Sequence, residues 1–178
     1  KIADFDNDGW QDVYIVNGTW VPNEVSPSNL FFHNQGDGTF AEASGPFGLE
    51  DYLMTAAAVA LDIEGDGDLD VITQPVNGPV ALFRNGSQTG NAITVEVRDR
   101  VGNSHGIGAK IWVEAQGGRQ MREVQSGGGF MSFDAPVAHF GLGAATAVDA
   151  IVIDWSGGGT TRIDGPLAAG SAYRVTRG

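Results

Sequence analysis

Asp4, Asp6, Asp8 and Asp12 place four carboxylates within nine residues, with Gly9 between the third and the fourth. Alternate side chains of a tight loop converge on one point, where like charges a few ångströms apart repel unless a cation sits among them. The glycine permits the sharp turn, and the last Asp closes the shell from the strand that follows. Such an all-oxygen cage, with the main-chain carbonyl of Trp10 as a further donor, suits Ca2+ better than Mg2+ or a transition metal, because Ca2+ takes about six to eight oxygens in flexible geometry. The pattern returns 58 residues later as Asp62, Glu64, Asp66, Gly67 and Asp70, with Asp68 supplying the main-chain oxygen. Two Ca2+ sites are therefore expected. An EF-hand shares the acidic positions and the glycine, but it needs Glu at its twelfth position and flanking helices; here Ile15 and Thr73 stand there, and β-forming runs follow. Plain acidic turns are the bland alternative, since Asp and Gly favour turns anyway; two loops in register weigh against it.

The elements that must position these loops are short strands. Each loop runs into β-formers, Asp12 to Gly18 and Asp70 to Gly78, and later into an aromatic run ending in Asn, Leu30 to Asn34 and Ala81 to Asn85. The aromatic runs are offset by 51 residues instead of 58, so the first copy carries seven extra residues, placed in the Pro- and Ser-containing stretch from Trp20 to Ser28. Asn34 to Phe40 reads as a hairpin turn leading to a fourth strand, and the run Thr55 to Asp62 then leads into the second acidic loop. Beyond Asn91 come alternating or continuous β-patterns of five to eight residues between Gly-rich turns, with no amphipathic helix. Short strands at this spacing predict a sandwich or barrel.

The loop Asp4-x-Asp6-x-Asp8-Gly9-x-x-Asp12, the β-run after it and the segment Asn29 to Phe40 resemble FG-GAP/VCBS repeats. That resemblance implies β-propeller blades with calcium in the loop between the first two strands. Gly106 to Phe133 and His139 to Gly158 resemble the ASPIC/UnbV domain, which in its family follows secreted calcium-binding propellers. The sequence departs from that domain's usual pattern at Val101 to Gly106 and at Phe133, where a Gln is common. The expected fold is all-β: a partial β-propeller of about two blade-like repeats over residues 1–88, followed by a β-sandwich-like domain over 89–178. Propellers close with about four to eight blades, so missing N-terminal blades or a neighbouring chain are expected to complete the ring.

Composition bounds the function. Residues 1–90 hold 14 acidic against 2 basic residues, and residues 91–178 hold 8 of each, so the whole net charge of −12 lies in the first half. With no basic stripe, no nucleic-acid partner is expected. No run approaches the roughly 18 apolar residues of a membrane span. The absence of cysteine excludes disulfides, zinc–thiolate sites and thiol catalysis. Gly106 to Lys110 lacks the features of a nucleotide loop and reads as a turn into a strand; Ser126 and Ser156 lack a nucleophile elbow. His33, His105 and His139 read as structural hydrogen-bonders, Phe31, Phe83, Trp112 and Trp155 as core, and Trp20 as a candidate for stacking on sugar. The expectation is a non-enzymatic module, secreted or in a bacterial envelope, with structural calcium and a protein or glycan ligand. The alternatives are part of a secreted carboxylate-dependent hydrolase or lyase, for which no spare carboxylate pair is recognisable, and an architectural unit of an extracellular assembly.

Overall fold

The structure, a computed structural model, describes residues 1–18, 27–87 and 89–178. Trp20 and most of the extra stretch of the first copy lie outside those residues. The described chain is all-β, without a helix, and its sheets do not close into a barrel. Strands β1 (Ile2–Ala3), β2 (Asp12–Ile15), β3 (Leu30–Asn34) and β4 (Phe40–Glu42) form one antiparallel meander in chain order. Strands β5 (Thr55–Leu61), β6 (Asp70–Pro75) and β7 (Ala81–Phe83) form a second. These are the blade-like repeats. Asp12 pairs with Ala3 at the mouth of the first acidic loop, and Asp70 pairs with Leu61 at the mouth of the second. Each acidic loop thus joins the first two strands of its sheet.

One face of each meander is apolar at every second residue, as the period of a strand requires. Tyr14, Phe31, Ala58 and Val71 are buried with Phe5 and Leu69 from the loop ends. Phe5 meets Phe31 edge-on at 5.8 Å between ring centroids. Asn29 is buried too, donating to the Tyr14 hydroxyl (3.1 Å) and to Thr55 Oγ1 (3.2 Å) and so tying the first sheet to the start of the second. Polar groups this deep persist because they are paired.

The remaining strands are β8 (Asn91–Asp99), β9 (Lys110–Ala115), β10 (Gly118–Glu123), β11 (Val137–Gly143), β12 (Ala147–Asp154), β13 (Thr160–Ala168) and β14 (Ser171–Arg177). They form a four-stranded sheet, β10-β9-β12-β13, and a three-stranded one, β11-β8-β14, in which β14 runs parallel to β8. Ile93, Val95 and Val97 of β8, Phe140 of β11, Ile111 and Val113 of β9, and Val148, Ile151 and Ile153 of β12 share one core between the sheets. Trp155 packs in that core and Phe83 against the other, but Trp112 does not belong inside. It falls on the opposite side of β9 from Ile111 and Val113, carries the Arg119 guanidinium 4.0 Å over its ring and donates its indole N–H to Asp154. Alternation along a strand decides the face, and an aromatic with an N–H to satisfy is stable on the outer one.

Candidate metal centre

The first acidic loop winds back on itself through two left-handed residues, Asn7 (φ 60°) and Gly9 (φ 97°). This curl turns alternate side chains inward. Asp4, Asp6 and Asp12 each bring a ligand oxygen within 4.8 Å of the others, and Asp6 and Asp8 do the same with a ring nitrogen of His33. Asp4 is 1 % exposed. Its Oδ2 accepts the Gly9 N–H at 2.9 Å, while its Oδ1, also buried, has no partner. Burial pushes the Asp4 carboxyl up to about 7; the Gly9 N–H opposes this, and the charges of Asp8, Asp6 and Asp12 add to it. Asp8 and Asp12 are likewise raised, chiefly by burial. Both oxygens of Asp12 hold the backbone, Oδ2 accepting from Phe5 N at 3.1 Å and Oδ1 from Asn34 N at 2.8 Å. Each oxygen keeps a lone pair for a cation.

The second loop repeats this skeleton. Asp62 Oδ2 accepts from Gly67 N at 2.9 Å, Asp70 Oδ2 from Ile63 N at 2.9 Å and Asp70 Oδ1 from Asn85 N at 2.8 Å, each the counterpart of a bond in the first loop. Its carboxylates are spread more widely. Among the described residues only the first loop gathers three ligand groups within 4.8 Å. Glu64 is drawn into an ion pair with Arg84, Asp68 Oδ1 accepts from Asn7 Nδ2 at 2.7 Å, and Asp62 Oδ1 accepts from both Gly65 N and Asp66 N. Asp66 Oδ1 accepts from Asp68 N at 3.1 Å. Trp10 keeps an exposed indole, and Asp8 Oδ1 accepts its main-chain N–H at 2.7 Å.

Four residues that contribute to the loops escape inspection of the acidic motif. His33 is not isolated: its Nε2 lies 2.8 Å from Asp6 Oδ2, and the Gln35 amide nitrogen faces its Nδ1 at 2.9 Å, which leaves the ring proton on the side of Asp6. His33 thereby orients a carboxylate of the cage. Asn34 and Asn85, which end the two aromatic runs, donate their side-chain amides to Gln11 O and Leu69 O, the residues just before Asp12 and Asp70. The repeat itself carried that signal. Asn7, between two aspartates, is as buried as Asp4 and joins the two loops.

The blade-like sheets and the strand-to-strand acidic loops correspond to a known module: residues 4–73 match the FG-GAP-like repeat, and residues 100–178 match ASPIC and UnbV. The chain joins an FG-GAP-like repeat to an ASPIC and UnbV domain. Cartilage acidic protein 1 of Mus musculus is 31% identical over 165 residues, covering 88% of this chain and 25% of that protein. The Homo sapiens protein of the same name is 30% identical over 165 residues, covering 88% of this chain and 24% of its own length. The chain thus spans about a quarter of the length of these relatives. Both acidic loops fall within the FG-GAP-like match, and β9 to β14 within the ASPIC and UnbV match.

Proposed function

We propose that this chain is part of an extracellular interaction module whose blade-like sheets are held by structural Ca2+. The buried, unpartnered Asp4 Oδ1 carries the proposal: an ionised carboxylate taken out of water beside three other carboxylates is strongly unfavourable unless a cation neutralises it. Asp4, Asp6, Asp8, Asp12 and the Trp10 carbonyl would hold the first ion, an all-oxygen set of the kind a hard, flexible cation takes. Asp62, Glu64, Asp66, Asp70 and the Asp68 carbonyl would hold a second ion, once Glu64 leaves Arg84. The ion's role is to let the charged loops stay compact between the first two strands of each blade.

The extracellular setting rests on the FG-GAP-like repeat and on relatives whose name places them in cartilage. The fitting partner is a protein or glycan surface, and further blades, from the same chain or a neighbour, would complete a propeller against the two sheets. No helix among the described residues is long and apolar enough to cross a membrane. The test is calorimetric titration of Ca2+ into the EDTA-stripped chain, with Mg2+ as the control. Binding with Kd on the order of 0.1–1 mM, weaker for Mg2+, is expected. Absence of Ca2+ heat together with a melting curve indifferent to millimolar Ca2+ would refute the proposal.

A further inference from the structure

The first acidic loop is a docking element as well as a cage. Gly143 N of β11 donates to Asn7 O at 2.7 Å. Two residues earlier, Gly141 lies so close to the loop that a Cβ there would stand 2.0 Å from Asp4 Oδ2 and 2.6 Å from Asn7 Cα. The Gly141 carbonyl in turn accepts from Gln120 Nε2 at 2.6 Å, which sets β10 over the same spot. The second loop is caught from the same strand, since His139 Nε2 is 3.0 Å from Gly67 O, to which Asn7 Nδ2 also donates. Strand β11 of the sandwich therefore rests on both loops, and on the first it rests against a carboxylate of the cage.

We infer that cation occupancy of the first loop and the seating of the sandwich on the blades are linked through Asn7 and the Gly141–Gly143 edge of β11. The linkage rests on the calcium reading above and extends it to the other half of the chain. Asp4 is at once a ligand and the surface on which Gly141 sits, so any displacement of its carboxylate when the ion leaves is transmitted to β11. Without the ion the cage carboxylates repel, and the left-handed turn at Asn7, whose carbonyl holds Gly143, loses what keeps it wound. Reciprocity follows: a sandwich that fits less well must weaken the ion by the same factor, for such couplings about 5–150-fold.

The test uses the full chain. Amide exchange at Gly143 should be at least about ten-fold faster in EDTA than in 10 mM Ca2+, while the amides of β8 in the sandwich core stay protected in both. In calorimetry, Gly141→Ala should weaken the tighter Ca2+ site by about ten-fold or more. Should that variant fail to fold, Gln120→Ala serves instead: it leaves both loops intact but removes the bond that holds the Gly141 carbonyl, and several-fold weakening is expected. Ca2+ binding by wild type, with unchanged Gly143 exchange and wild-type affinity in the variant that folds, overturns the linkage and leaves the calcium reading standing. No Ca2+ binding by wild type removes the calcium reading, and the linkage with it.

Discussion

Asp4→Asn should stabilise the ion-free protein and forgo what calcium adds at the first loop. In the ion-free protein the Asp4 carboxyl is raised from 3.8 to about 7, chiefly by burial. The folded state therefore holds this proton more tightly than the unfolded chain does, so the stability it confers is complete below 3.8 and is lost as pH rises through 7. At pH 8 wild type carries the full penalty of an ionised, buried Asp4, about 4 kcal/mol, because the rise from 3.8 to about 7 is roughly three tenfold steps in proton affinity of ~1.4 kcal/mol each. Asn has nearly the same shape and can still accept the Gly9 N–H, but it has no charge to bury. In EDTA at pH 8 the variant should melt above wild type by roughly 8–16 °C, given about 2–4 °C per kcal/mol for a chain of this size. At pH 5 that gap should shrink to less than half, because the unfolded carboxyl is already ionised there, and it should close only below 3.8. Calcium narrows the gap: at 10 mM and a Kd of about 0.1–1 mM the first site adds roughly 1.4–2.7 kcal/mol to wild type, which the variant forgoes. Differential scanning calorimetry of both proteins in EDTA and in Ca2+ reads both effects. A variant that melts below wild type in EDTA at pH 8, or gains as much from Ca2+ as wild type, would refute the buried-carboxylate reasoning.

Two further outcomes follow from the loop contacts. Asn85→Ala removes donors to both Phe5 O and Leu69 O, whereas Asn34→Ala removes one to Gln11 O, so urea unfolding should show a larger loss for Asn85, about 1–3 kcal/mol against about 1; equal losses would mean that the bond between the sheets carries no weight. His139 is held below its ordinary value of 6.5 chiefly by burial, with the Gly67 carbonyl opposing and the Arg122 charge adding, so its contribution is complete above 6.5 and declines as pH falls through its lowered folded value. The stability difference between wild type and His139→Gln should shrink from pH 7.5 to pH 5, and a difference independent of pH would contradict the buried, neutral imidazole.

Much of the fold is legible because it is local. The 58-residue offset between the acidic loops and the 51-residue offset between the aromatic runs reappear as matching bonds, Gly9 to Asp4 with Gly67 to Asp62 and Asn34 to Asp12 with Asn85 to Asp70. Strand alternation places Tyr14, Phe31, Val95 and Val97 inside. Trp112 shows where residue type misleads: an aromatic on a strand suggests core, but its phase relative to Ile111 and Val113 puts it outside.

By itself the sequence determined the β-runs that follow each acidic loop, the all-β second half and a gathering of carboxylates in the first loop, because backbone stereochemistry and a period of two act over a few residues; the place of each loop between the first two strands came from the family resemblance. Only the tertiary structure decided that the two loops are unequal. His33 reaches Asp6 from 27 residues away, Arg84 draws Glu64 aside, and Gly141 closes over Asp4 from the other half of the chain, leaving one carboxylate oxygen dry and unpartnered. The two motifs share one spacing of acidic residues and glycine as text. What separates them is desolvation and neighbouring charge, and both are set by segments that packing brings in from far along the chain.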